Sequence, residues 1–274
     1  MKILVFGGGL GNQIFEYGYY KYLVDKLPEK KIYGYYPPEL LSEHYGLELN
    51  KWFTVDLPKQ KWFVPLFYQV IRIIRKVLGI NSLIETDSNS SCEKASIIFA
   101  LKTNKQFLPK SDWLRWNVNE QLLSDKNKRV LDDIRSSDSF FIHVRKGDYL
   151  SPRYKDRFEG TCPVSYYQNA IKEICKKHPN VHFFFFSDDL QWVKDNINVS
   201  DKKVSFVNWN TGTESPLDMY LMSNCKGGIM ANSTFSYWGA ISGRPDKEIY
   251  SPKKWFADGF GINPDIYLDS WMVL

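Results

Sequence analysis

The sequence predicts a parallel α/β protein in two domains, and three observations carry that reading. Short apolar runs of strand length alternate with helical apolar spacings of about ten residues, the pattern of a parallel sheet with helices on both faces. A glycine turn, Gly7-Gly8-Gly9, directly follows the first of these runs. The chain of 274 residues has room for two domains of ordinary size.

The elements follow in order. A strand at 3–6 leads through the glycine turn to a helix at 12–26 and a strand at 31–35. Pro37, Pro38, Pro58 and Pro65 then punctuate an aromatic-rich stretch in which the pattern loosens. Read as a helix, 66–78 gathers Gln69, Arg72, Arg75 and Lys76 on a polar face. Leu66, Phe67, Val70, Ile71, Ile73, Ile74, Val77 and Leu78 lie opposite. Such a face more often packs on its own core, with weak contact to an anionic membrane surface as the minority reading. A helix at 120–134 precedes the division, which the pattern puts near 135–138, giving domains 1–137 and 138–274. The second domain reads as strand 139–143, helix 164–177, strand 181–186, a helix from 190 and strand 203–208. Helix 216–224, strand 228–231, helix 235–241 and strand 248–250 complete it.

Composition narrows the class. A hydrophobic fraction of 43% with 24% charged residues excludes a largely disordered chain. The high aromatic content serves mainly as core filler, with ring faces left for stacking on sugars. A net charge of +5 without a dense basic stripe argues against a nucleic-acid partner. Cys92, Cys162, Cys175 and Cys225 are too few and scattered for a disulfide scaffold, and no CxxC pair marks a zinc site. No apolar run reaches the length of a signal-peptide core or a membrane span. The expectation is a reduced cytoplasmic protein, peripheral at the inner face of the plasma membrane if 66–78 touches lipid.

Two motifs stand where chemistry is placed in such folds. Gly7-Gly8-Gly9-Leu10-Gly11-Asn12-Gln13 sits between a strand and a helix, where glycines admit a ligand to the backbone and helix N–H groups face an anion. A dinucleotide fingerprint fails in register, because counting from Gly7 puts the third glycine of GxGxxG on Asn12. The next strand also ends without the acidic residue expected for a ribose, Glu39 being the nearest. The second motif, His143-Val144-Arg145-Lys146-Gly147-Asp148-Tyr149, closes the strand at 139–143. Ligands in open α/β sheets bind at the carboxyl ends of strands, and a guanidinium held there grips a pyrophosphate with two parallel hydrogen bonds.

Together with Gly9-Leu10-Gly11-Asn12-Gln13-Ile14-Phe15 and Ala231-Asn232-Ser233-Thr234-Phe235-Ser236-Tyr237-Trp238-Gly239, this motif resembles the bacterial α-1,2-fucosyltransferases of glycosyltransferase family 11. One departure is visible: Lys146 stands where that family usually has a second arginine, which keeps the charge and loses the fork. The resemblance implies a GT-B-like fold of two facing Rossmann-like domains with parallel sheets, the second binding the donor. It also implies GDP-fucose as co-substrate, a galactose-terminated oligosaccharide or lipid-linked glycan as acceptor, and no metal or other cofactor. The sequence has no Asp-x-Asp pair, the metal clamp of the other large glycosyltransferase fold.

On that basis Arg145, Asp148 and Asn12 are the catalytic candidates. Gly9, Gly11, Gln13, His143, Lys146, Asp188, Asp189, Asn232, Ser233 and Thr234 are the donor-binding candidates. Arg145 and the helix N-terminus opened by Asn232-Ser233-Thr234 would meet the pyrophosphate charge. Ser233 and Thr234 are equally good N-cap residues. His143 and Asp189 would read guanine, with Asp188 as the alternative and helix capping as the competing role for either aspartate. The base that takes the acceptor proton stays open between Asp148, Asp156 and Glu159.

Overall fold

The computed structural model describes residues 1–42, 44–80, 84–85, 95–98, 103–108, 114–147, 149, 151–199, 201–261 and 263–274. They fall into two units, Met1–Val118 and Asn119–Leu274.

In the first unit, β1 (Lys2–Val5) runs into α1 (Leu10–Lys26), followed by β2 (Ile32–Tyr35), α2 (Pro38–Leu41) and α3 (Leu49–Trp52). After β3 (Phe53–Thr54) come α4 (Val64–Leu78), β4 (Ile84–Glu85), β5 (Ile97–Ile98) and β6 (Arg115–Trp116). The parallel sheet has the order β2-β1-β5-β4, and β3 pairs antiparallel with β6. β1 is buried along its whole length, as a central strand covered on both faces must be.

Helix α4 starts with Pro65 in its first turn and stops at Gly79, whose φ of 68° supplies the left-handed cap. Its apolar residues divide into two groups. Val64, Tyr68 and Ile71 are buried in the core with Ile3, Val5 and Tyr35, and Phe67 and Ile74 pack against that cluster. Leu66, Val70, Ile73, Val77 and Leu78 remain exposed. Packing on the helix's own core thus accounts for only part of the apolar arc.

The second unit comprises α5 (Asp125–Ser136), β7 (Asp138–Val144), α6 (Lys155–Phe158), α7 (Val164–Lys177), β8 (Val181–Ser187) and α8 (Leu190–Asn196). It continues with β9 (Lys203–Val207), α9 (Pro216–Asn224), β10 (Gly227–Ile229), α10 (Thr234–Ile241), β11 (Glu248–Ser251) and β12 (Met272–Val273). All six strands are parallel, in the order β12-β11-β10-β7-β8-β9.

The division between the units falls earlier than the sequence pattern put it. Ser124 caps α5, accepting from the Asn127 N–H at 3.3 Å, so the helix begins later than 120 and its residues dock on the second sheet. Asn127 and Asn210 exchange side-chain hydrogen bonds of 2.8 and 3.1 Å, and Trp209 donates to Asn127 at 2.8 Å. Arg135 grips Glu120 with two bonds of 2.8 and 2.6 Å. These ties join α5 to the loop after β9, and Tyr220 of α9 donates to Glu120, so the segment from Asn119 onward belongs to the second unit.

Glycine leaves room where the sheet is most crowded. In register, Gly227 faces Phe140 and Gly228 faces Phe141. A Cβ on Gly227 would lie 2.6 Å from the Glu248 carbonyl oxygen, and one on Gly228 would overlap the Phe141 ring. Aromatic rings from β7 occupy the space the two glycines vacate. Gly228→Ala should therefore lower the unfolding free energy by about 1–3 kcal/mol, the range for overpacking a filled core. Urea denaturation measures it, and an unchanged midpoint would mean the ring has somewhere to go.

Candidate functional site

The site is built where β7, β8 and β10 end. Val144 and Ser187 are partners in the β7–β8 register, so the next residues, Arg145 and Asp188, emerge side by side. Asp188 uses both oxygens: Oδ1 accepts the Lys146 backbone N–H at 2.8 Å, and Oδ2 lies 3.4 Å from Arg145 Nε. A Cβ on Gly147 would come within 3.0 Å of Asp188 Oδ2, so glycine is what lets the loop close over the carboxylate. The guanidinium lies over the Tyr149 ring at 5.8 Å, and Lys146 Nζ sits 4.3 Å above the ring of Trp192. Burial lowers the Lys146 pKa, while Cys162 and Asp188 oppose the shift.

Beside these groups opens a cavity of about 230 Å³, whose polar lining includes Arg145, Lys146, Lys155, Glu159, Thr161 and Asn232. Tyr149 forms one wall. Its hydroxyl donates to the Asn232 carbonyl at 2.9 Å, and its ring stacks on Phe158 at 4.0 Å. Asn232 is itself anchored: its Nδ2 donates to the Trp255 carbonyl at 2.9 Å, and Cys162 Sγ donates to its Oδ1 at 3.4 Å. Ser233 holds the N-cap position of α10 in extended conformation, and its side chain takes no helix N–H. Thr234 is the first residue of that helix.

The other candidates are placed as follows. Asp189 caps α8, its Oδ1 accepting the Trp192 N–H at 2.9 Å. His143 is buried near the end of β7, with its Nδ1 unpartnered and Phe235 5.8 Å away. Burial, and then the Arg145 charge, push its pKa down to about 3. Of the three candidate bases, Glu159 lines the cavity, Asp156 stands on α6 outside the lining, and Asp148 lies outside the described residues.

In the first unit, the glycine turn ends β1. Gly8 has a φ of 69°, a conformation few L residues tolerate, and Gly9 is the extended N-cap of α1. Gly11 is buried in the first turn of α1, and Asn12 follows it half-buried. Gln13 spends its whole amide on backbone. Its Nε2 donates to the Gly8 and Gly46 carbonyls at 2.9 Å each, and its Oε1 accepts from Glu48 and Leu49 at 2.9 and 3.1 Å. Any part it has in donor binding is therefore indirect, through the turn it holds. The sequence reading missed three supports of this turn: Glu16, which accepts the Gly7 N–H at 3.0 Å, and the Gly46 and Glu48 backbone. A lone carboxylate in the run Ile14-Phe15-Glu16-Tyr17-Gly18-Tyr19 was the available signal.

The sequence profile of glycosyl transferase family 11 matches residues 86–274. The chain belongs to this family. It is 36% identical over 166 residues to the O-antigen biosynthesis glycosyltransferase WbnK of Escherichia coli, a match covering 58% of this chain and 53% of WbnK. An α-1,2-colitosyltransferase of Escherichia coli is 30% identical over 273 residues, covering 93% of each. Human galactoside α-(1,2)-fucosyltransferase 1 is 30% identical over 141 residues, 46% of this chain and 38% of that protein. Among solved structures, a mutant of Arabidopsis thaliana FUT1 in complex with GDP aligns with a TM-score of 0.54 at 13% identity, over 93% of this chain and 72% of that one. The family 11 chain is thus a glycosyltransferase with the α/β architecture of the GT-B class. No helix among its described residues is long and apolar enough to cross a membrane.

Burying His143 makes the stability of this family 11 chain depend on pH. The folded state holds the imidazole neutral down to about pH 3, while the unfolded chain takes up the proton near 6.5. Below 6.5 the unfolded state binds more protons, so the contribution is complete above that value and is lost as pH falls toward 3. Urea denaturation between pH 7 and 4 should show a loss of about 3 kcal/mol from this group. His143→Asn should flatten that slope, and an equally steep slope in the variant would remove His143 as its source.

Proposed function

We propose that the chain transfers L-fucose from GDP-β-L-fucose to the 2-hydroxyl of a terminal galactose on a bacterial surface glycan, with inversion at the anomeric carbon. The observation that carries the reading is Arg145, held by Asp188 at the end of β7 and lining a cavity that also holds Lys146 and Lys155. Three cations converging at a strand end suit a pyrophosphate. The motifs spread from Gly9 to Gly239 and the relationship to α-1,2-transferases add the linkage.

In this reading the bond from the fucose C1 to the β-phosphate oxygen breaks as the galactose oxygen attacks from the opposite face. GDP leaves with the negative charge, and the acceptor proton passes to a carboxylate. Arg145 meets the charge as it grows on the leaving phosphate, so it acts more strongly in the transition state than in the bound donor. Glu159, at the cavity wall, is the placed candidate for the base. Because fixed cations fill the role of a divalent ion here, the reaction should proceed in EDTA.

A second reading concerns the donor sugar. The colitosyltransferase relative covers 93% of this chain, and colitose is fucose without one hydroxyl. GDP-colitose is therefore the alternative co-substrate, and GDP-fucose and GDP-colitose compared on galactosides, with linkage read by NMR, decide between them. Turnover of GDP-fucose to an α-1,2 product supports the proposal; turnover of GDP-colitose alone overturns the fucosyl reading.

Two substitutions test the roles. Arg145→Ala should cut kcat by about a hundred- to a thousandfold, as loss of a preorganised donor does, and Arg145→Lys should rescue little. Near-normal turnover in a folded Arg145→Ala protein would end the assignment. Asp189→Asn separates capping from guanine recognition, since asparagine caps a helix as well as aspartate. If Asp189 also accepts the adjacent N1–H and amino donors of guanine, the donor KM should rise about ten- to a hundredfold with little change in kcat or stability. An unchanged KM would leave Asp189 as a cap only.

A further inference from the structure

Helix α4 presents a second apolar face that the fold does not use. At about 100° per residue, Leu66, Val70, Ile73 and Val77 fall within an arc of about 60°, opposite the buried Val64, Tyr68 and Ile71. Leu66 is 64% exposed, Ile73 60% and Val77 73%. Just before the helix Trp62 is 87% exposed, and Leu78 at its last position and Ile80 beyond it add exposed apolar surface. A stripe of this length left in water is costly unless something covers it.

Charge identifies what covers it. Residues 59–80 contain Lys59, Lys61, Arg72, Arg75 and Lys76 and no carboxylate, a local excess equal to the net charge of the whole chain. All five are exposed. On the helical wheel Lys76 is the helix cation nearest the stripe, about 60° past its edge, whereas Arg72 lies over the Tyr68 ring at 5.5 Å and Arg75 falls opposite the stripe. Lys59 and Lys61 lie just before the helix beside Trp62. A second copy of this chain would bring the same cations against each other. An anionic surface would be attracted by them while it buries the stripe.

We propose that α4 docks the protein on an anionic lipid bilayer, lying parallel to the surface. The apolar stripe enters the boundary between headgroups and acyl chains, Trp62 sits at the headgroup level, and Lys59, Lys61 and Lys76 contact lipid phosphates. The inference rests on the first unit alone and holds whichever sugar is transferred.

The test is co-sedimentation of the full-length chain with vesicles. It should partition onto phosphatidylethanolamine vesicles containing phosphatidylglycerol, at least tenfold more strongly than onto phosphatidylcholine, and added salt should weaken binding. Ile73→Asp with Val77→Asp should reduce binding at least tenfold. Lys61→Gln with Lys76→Gln, which leaves the apolar surface intact, should reduce it roughly ten- to thirtyfold, at about fivefold per cation. Both pairs are exposed, so circular dichroism and melting should be unchanged; if the aspartate pair unfolds, the glutamine pair still decides. Absence of wild-type binding, or equal binding by the glutamine variant, would overturn the proposal. So would a concentration-dependent dimer lost on Ile73→Asp without vesicle binding, which would assign the stripe to a second copy.

Discussion

The pairing of Arg145 with Asp188 depends on one register, and the site depends on that pairing. β7 and β8 are matched residue for residue from Asp138↔Val181 to Val144↔Ser187. Both strands are covered on both faces, so Phe140, Phe141, Ile142 and Phe183 to Phe186 leave no place for a charge within the sheet. Charge stands at the start of β7, on Asp138, and is next tolerated just past the carboxyl ends of the two strands. A slip of one residue would exchange the faces of every phenylalanine and separate the arginine from its carboxylate.

That pairing contributes orientation more than stability. Both side chains are partly exposed, and such pairs contribute only about 0–1 kcal/mol. Yet Asp188 also holds the Lys146 backbone, so one carboxylate fixes two successive cationic residues. Lys146 in turn rests on Trp192, which sits in the helix that Asp189 caps. The lysine that replaces the family's usual arginine therefore has an aromatic partner in place of a fork, a cation–π contact that places the charge without requiring two parallel bonds.

Much of this was legible in the sequence. In the second unit β7 and β8 are long apolar runs, and the strands from β7 to β11 lie within two residues of their predicted bounds. The two-residue strands β4, β5 and β12 carry no period that could mark them. The start of α5 was misplaced because Glu120–Leu122 forms a separate 3₁₀ turn before the Ser124 cap, and helical spacing alone runs through both. At the site, strand ends and motifs point to Arg145 and to the pair Asp188-Asp189 with Asp189 preferred, but that Asp188 is the one that meets Arg145 is a product of the register and invisible in spacing. Gln13 was read as a ligand group because its partners, Gly46, Glu48 and Leu49, lie more than thirty residues away. The amphipathic character of α4 was plain, whereas the division of its apolar arc into a packed and an exposed stripe is decided by tertiary packing.

The proposed chemistry requires that Arg145 hold phosphate. Calorimetric titration with GDP and with guanosine, on the wild type and Arg145→Ala, tests it most directly, because the two ligands share a base and differ in the diphosphate. The substitution should weaken GDP binding at least tenfold, the worth of about 1.4 kcal/mol, and leave guanosine binding unchanged. Equal GDP affinity in the two proteins, or a parallel loss for guanosine, would contradict it.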